Sequence, residues 1–258
     1  MANKLNQFTA HSSQFTNFAF TLAETLIVMG IIGVVAALTL PNLNNTTGDK
    51  EKITKLQKIY SNLNDAFARA QAVYGPFDEW GIGNDDNESC KKFGERLTEF
   101  MKVSKNCSIN YNGGCKTNGD YPHNFNGQDP AGGEDGYSFI LADGASVELF
   151  AFSIEPYLFV DIDGPNKGPY AHGKDVFVFS ANEKFGFANG FIPGWFTDDN
   201  KPEEPTKCPA SIVGGGGDYC TAWVIQYGNM DYTKINSSKK CKNNTSITLD
   251  GVSNTTCK

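Results

Sequence analysis

Arginine is nearly missing from this chain: Arg69 and Arg96 are the only two in 258 residues. Together with a net charge of -7, that scarcity argues against a nucleic-acid binder, because phosphate contact needs clustered Lys and Arg. Histidine is also scarce. His123 sits in a Pro- and Asn-containing stretch and His172 in a Gly-rich one, so both are expected on exposed loops, and neither accompanies a nucleophile motif such as G-x-S-x-G. Gly214 to Gly217 lacks the Lys-Ser/Thr ending of a phosphate loop, and nothing repeats at solenoid spacing. No cysteine occurs in the first 89 residues and no C-x-x-C pair occurs anywhere, which leaves zinc-ribbon and thioredoxin-like chemistry unsupported. These absences leave little for catalysis, and the expectation is a protein that is not an enzyme.

What is present supports a folded extracytoplasmic body. Hydrophobic residues make up 40% and aromatics 12%, enough for a core. The cysteines are Cys90, Cys107, Cys115, Cys208, Cys220, Cys241 and Cys257. Scattered in this way, they read as disulfides made in an oxidising compartment, with buried thiols as the competing reading. An odd number leaves at least one outside any intramolecular bridge. Neighbours close the shortest loops, so Cys107 is expected to pair with Cys115 and Cys208 with Cys220.

The N-terminal third is sharply divided. Residues 1–19 are polar and carry one Lys and no acid. From Phe20 to Leu40 the chain reads FTLAETLIVMGIIGVVAALTL, with Glu24 as its only charge. That run has the length of a bilayer-spanning helix. It is too long for the apolar part of a secretory signal and has no small-x-small cleavage site after it. A plain anchor leaves Glu24 unexplained, since carboxylates in apolar spans are costly. A free amino group on Phe20, made by cutting between Ala19 and Phe20, gives Glu24 a positive partner.

FTLAE followed by LIVMGIIGVVAALTLP resembles the prepilin-type N-terminal cleavage and methylation segment of type IV pilins and type II secretion pseudopilins. Counted from Phe20, Glu24 is the fifth residue and Pro41 the twenty-second, as in that family; Thr21, Leu22, Gly33 and the Ala36-Ala37 pair also match. Two features depart from the pattern. Ala19 stands where the family has Gly, and only Lys4 supplies positive charge in the leader. The resemblance implies removal of a 1–19 leader by prepilin peptidase, N-methylation of Phe20, and assembly through Glu24 and Pro41. It also implies an inner-membrane, single-pass protein with an extracytoplasmic head, in contact with lipid before assembly. Afterwards its partners are other pilin-like subunits and the inner-membrane assembly machinery, in a surface or periplasmic filament.

Pro41 is expected to end or kink the apolar helix 20–41, and Asn42 to Gly48 to be locally melted. Then Ile53, Leu56, Tyr60, Leu63, Phe67, Ala70 and Tyr74 recur at spacings of three and four, predicting an amphipathic helix within 42–75 that packs on a sheet. Gly75-Pro76 stops it. The remainder, 76–258, is expected to be an α+β head with an antiparallel sheet. Strands are predicted on both sides of the Asp143-Gly144 turn, near Tyr157–Val160, at Val176–Ser180 and over Ala222–Tyr227, with a short helix over Lys92–Val103. The head segments LADG and VDIDGPNKGPYAHGKDVFVF also resemble heads found behind this kind of N-terminus.

One loop holds Asp161, Asp163, Asn166 and Asp175. Alternating oxygen side chains followed by Gly are what a Ca²⁺ site needs, and major pseudopilins carry calcium in a head loop. The competing reading is a turn built by Asp-Gly and Pro; no bidentate Glu stands at the offset a twelve-residue calcium loop requires. The C-terminal lysines Lys234, Lys239, Lys240, Lys242 and Lys258 read as a solvated surface or as a DNA-touching tail. Three functions compete: a structural filament subunit, a membrane-anchored or pilus-tip adhesin, and a tethered enzyme. A DNA-uptake minor pilin is a variant of the first.

Overall fold

The computed structural model describes residues 22–83, 86–110, 113–116, 122–127, 136–151, 155–184, 186–196, 201–213 and 216–234, with the side chains of 36–47, 210, 213 and 234 outside the described set. The chain divides into two compact units, Met1–Thr46 and Thr47–Lys258. Among the described residues the architecture is α+β, with four α-helices and a six-stranded antiparallel sheet.

Helix α1 spans Leu22–Tyr74. Its backbone is helical through Pro41 and through residues 42–48, so the melted stretch expected there is not formed. In the first unit, Leu22, Leu26, Ile27, Met29, Ile31 and Val34 are all exposed. Among the described residues no helix is long and apolar enough to cross a membrane. The apolar run expected over Phe20–Leu40 is described with its side chains only from Leu22 to Val35.

In the second unit, α1 buries Ile53, Leu56, Ile59, Leu63, Ala66, Phe67 and Ala70. This stripe is wider than the sequence spacing indicates: Ile59 and Ala66 join it, while Tyr60 is half-buried and Tyr74 exposed. A helix lying on a sheet buries an arc of its surface, and that arc takes in more positions than a narrow seam. Gly75, at φ 82°, and Pro76 end the helix.

The sheet is a meander, with strands in the order β1 (Val103–Ser108), β2 (Tyr137–Leu141), β3 (Ser146–Phe150), β4 (Tyr157–Asp161), β5 (Val176–Ser180) and β6 (Ile192–Pro193). Its inner face carries Phe139, Val147, Leu149, Leu158, Val160, Phe177 and Phe179 into one core with α1. Tyr60 stacks on Phe179 at 5.3 Å between ring centroids. Phe67 lies within 6.0 Å of the Phe77, Trp80, Phe93 and Phe191 rings.

Helix α2 is Asn87–Thr98, beginning earlier than the predicted Lys92 because Asp86 caps it: its carboxylate accepts from Ser89 N–H at 2.7 Å. A short α3, Cys208–Val213, precedes α4, Cys220–Tyr227. The predicted strand over Ala222–Tyr227 is therefore a helix. Short apolar runs do not separate the two states by periodicity, and two local features select the helix. Gly228 closes it in the left-handed conformation at φ 61°, and the Cys208–Cys220 bridge anchors its first residue. Thr221 Oγ1 then accepts from Val178 N–H at 2.9 Å, placing α4 against β5.

Candidate functional site

The head's chemistry gathers on the outer face of the sheet. The register pairs Ser146 with Asp161, Glu148 with Phe159 and Phe150 with Tyr157, and β5 adds Val176 beside Asp161. Because side chains alternate along a strand, these residues share the face away from α1. A second, smaller apolar cluster forms there from Phe150, Phe159, Tyr170, Val176 and Val178, flanked by Tyr157 and Trp195.

In the loop after β4, the residues considered for calcium make separate contacts. Asp161 Oδ1 accepts from Asp163 and Gly164 N–H, both at 3.1 Å. The Asp175 carboxylate accepts from Tyr170 and Ala171 N–H, both at 2.7 Å. Asp163 is paired with Lys52 of α1 at 2.7 Å. Asn166 takes the left-handed conformation, φ 68°, within the turn. Backbone donors hold Asp175 and one oxygen of Asp161, and a lysine holds Asp163. Among the described residues no group of three or more His, Cys, Asp or Glu is placed to hold a metal ion. The loop docks on α1, where Lys55 Nζ also donates to Ile162 O at 2.5 Å.

Burial changes the character of several groups there. Asp161 is pushed up to about 7, chiefly by burial and then by the neighbouring Asp175 carboxylate. Its Oδ2 is buried without a hydrogen-bond partner. Burial likewise raises Asp175. His172, expected on an exposed loop, is buried and edge-on to Phe159 at 5.3 Å. Burial depresses it to about 4, so it is neutral at physiological pH. His123 is half-buried rather than exposed. Its N–H donates to Tyr170 O and its carbonyl accepts from His172 N–H, each at 2.9 Å, forming a parallel bridge beside Ala171.

Both expected disulfides are present, Cys107–Cys115 and Cys208–Cys220. Cys90 belongs to neither; it is buried on α2, and its sulfur accepts from Ala151 N–H at 3.4 Å. Cys241 and Cys257 lie outside the described residues, as does the tail beyond Lys234.

Sequence reasoning missed two buried acids. Glu148 on β3 forms an ion pair with Lys116, and both side chains are buried. Glu203 is 4% exposed, and neither carboxylate oxygen has a hydrogen-bond partner. Burial pushes Glu203 up to about 8; Lys207 opposes this and Asp218 adds to it. Only tertiary packing makes these residues unusual, since charged residues in polar stretches read as surface.

At the N-terminus, Ala19 and Phe20 lie outside the described residues, as does the Pro41 side chain. Glu24 is exposed in the first turn of α1, its only acidic residue there. No family model, curated protein or solved structure matches the chain.

Proposed function

We propose that the chain is a pilin-like structural subunit of a type IV pilus or type II secretion pseudopilus. In this reading prepilin peptidase cuts between Ala19 and Phe20, and the subunit assembles through its N-terminal helix. One observation carries the reading: the FTLAE…P segment places Phe20, Glu24 and Pro41 at the family's positions on an apolar run. Three features of the structure support it. Leu22–Val35 is helical with exposed apolar side chains and a single acid, Glu24. The same helix element supplies the central core stripe of an α+β head. The two disulfides suit an extracytoplasmic head. The membrane anchor, the inner-membrane location and the assembly partners belong to this proposal.

Expression of the full chain with a prepilin peptidase and assembly machinery tests it. Mass spectrometry of the membrane fraction is expected to find a mature, N-methylated chain starting at Phe20. Glu24→Ala is expected to leave insertion intact, since removing a charge makes the segment more apolar, and to reduce filament incorporation. A chain still beginning at Met1 in a peptidase-positive host overturns the processing claim. Undiminished incorporation of Glu24→Ala removes that residue's role.

A further inference from the structure

On the outer face of the sheet an amine and a carboxyl are held together out of water. Lys116 Nζ contacts Glu148 Oε1, one covalent bond from Cδ, and the two side chains are only 7% and 6% exposed. The Cys107–Cys115 bridge fixes the backbone beside Lys116, and β3 holds Glu148 between β2 and β4. Gly136 N–H donates to the same Oε1 at 3.2 Å. A third group stands close by. Glu148 pairs with Phe159 and Ser146 with Asp161, so Asp161 lies diagonally across from Glu148, where long side chains reach each other. Lys116, Glu148 and Asp161 line one cavity of about 10 Å³, walled by Phe159, Tyr170 and Val176, with room for about one water molecule. Asp161 is 2% exposed, and its Oδ2 has no hydrogen-bond partner.

Burial disfavours both ionised forms of the Lys116–Glu148 pair. A proton passing from Nζ to the carboxylate leaves a neutral amine against a neutral acid. Reactants fixed in contact behave as if present at about 10⁵–10⁸ M, far above the concentration of water that would reverse a condensation. The product would also remove two buried charges.

We propose that Lys116 Nζ and Glu148 Cδ condense into an intramolecular isopeptide bond, with Asp161 as the proton carrier. After the first proton transfer, the Nζ lone pair attacks Cδ, and the carbonyl electron pair moves onto Oε1, where Gly136 N–H steadies the oxyanion. The protonated Asp161 carboxyl gives its proton to the leaving hydroxyl and takes one back from Nζ. The bond from Cδ to that hydroxyl breaks, one water is released, and Asp161 ends as it began. Burial raises Asp161 to about 7, so it can hold a proton near neutral pH. The ion pair observed is the state before the bond forms. The link ties the disulfide loop to β3 and, unlike the two disulfides, resists reductant. It needs only the folded head and stands apart from the filament reading.

The test is peptide mapping of the full chain after denaturation, reduction and alkylation. The native chain is expected to yield a branched peptide in which fragmentation places a link between Lys116 and Glu148, lighter than the two separate peptides by one water. Lys116→Arg is expected to keep the charge and lose the link. Asp161→Asn, with folding checked by recovery of both disulfides on a non-reducing map, is expected to slow formation of the link after synthesis by about 10²-fold or more. Recovery of Lys116 and Glu148 from the native chain only in separate peptides overturns the bond, and needs no variant. Linkage of Asp161→Asn at the native rate overturns the role of Asp161.

Discussion

Lys116, the residue after the Cys107–Cys115 bridge, forms a buried ion pair with Glu148 at the middle of β3. Glu148 Oε1 also accepts from Gly136 N–H at 3.2 Å, so one carboxylate ties the disulfide loop and the start of β2 to the outer face of the sheet. The charge of Glu148 is tolerable there only because a cation is delivered to it.

Lys116→Met strands that carboxylate. The expected loss is about 3–5 kcal/mol, the usual cost of removing one partner of a buried pair. Lys116→Met combined with Glu148→Leu is expected to recover most of it, because no charge remains to bury. Urea unfolding of the native head and of the two variants measures this. A single variant as stable as the native head would show that water reaches Glu148 readily.

Gly94 lets α2 approach the sheet. A Cβ at this position falls 2.1 Å from Cδ1 of the fully buried Tyr137 ring. Gly94→Ala is therefore expected to destabilise the head by about 1–3 kcal/mol through overpacking, despite alanine's better helix propensity. Gly94→Ala with Tyr137→Leu is expected to regain part of the loss. Thermal melts of both variants decide it, and a stabilised single variant contradicts the close packing.

Glu203 sets a pH dependence of unusual sign. A carboxyl raised to about 8 in the fold contributes stability that is fully present below its unfolded pKa and is lost as pH rises through the folded value. Asp161, at about 7, acts in the same direction. His172, lowered to about 4, acts oppositely, with stability lost as pH falls from its unfolded value near 6.5. Between pH 6.5 and 8 the acids dominate, and the melting temperature is expected to fall as pH rises. Glu203→Gln is expected to flatten that slope by on the order of 2 kcal/mol, since one pKa unit is worth about 1.4 kcal/mol. An unchanged slope assigns the dependence elsewhere.

Each disulfide is expected to contribute about 2–4 kcal/mol. Non-reducing peptide mapping of the native head should recover the Cys107–Cys115 and Cys208–Cys220 pairs. Cys208→Ser/Cys220→Ser is expected to loosen α4 in particular, because that bridge holds the helix's first residue. Faster hydrogen exchange at Val178 N–H, which donates to Thr221, reports it; unchanged exchange there separates α4's position from the bridge.

Features set by near neighbours in the chain were legible in the sequence. The Asp143-Gly144 turn between β2 and β3, the span of β5 over Val176–Ser180, the stop at Gly75-Pro76 and the two short disulfide loops each follow from residues a few positions apart. Turn chemistry, strand alternation and loop closure act over that range. Features decided by distant partners were not legible. Ala222–Tyr227 became a helix against β5, His172 went under Phe159, and Glu148 met Lys116 across 32 residues of chain. In the loop at Asp161, Asp163 met Lys52 on α1, a partner distant in the chain. Burial, and with it the state of every acid on the outer face, depends on which surfaces close over a residue, and only the assembled tertiary structure brings those surfaces together.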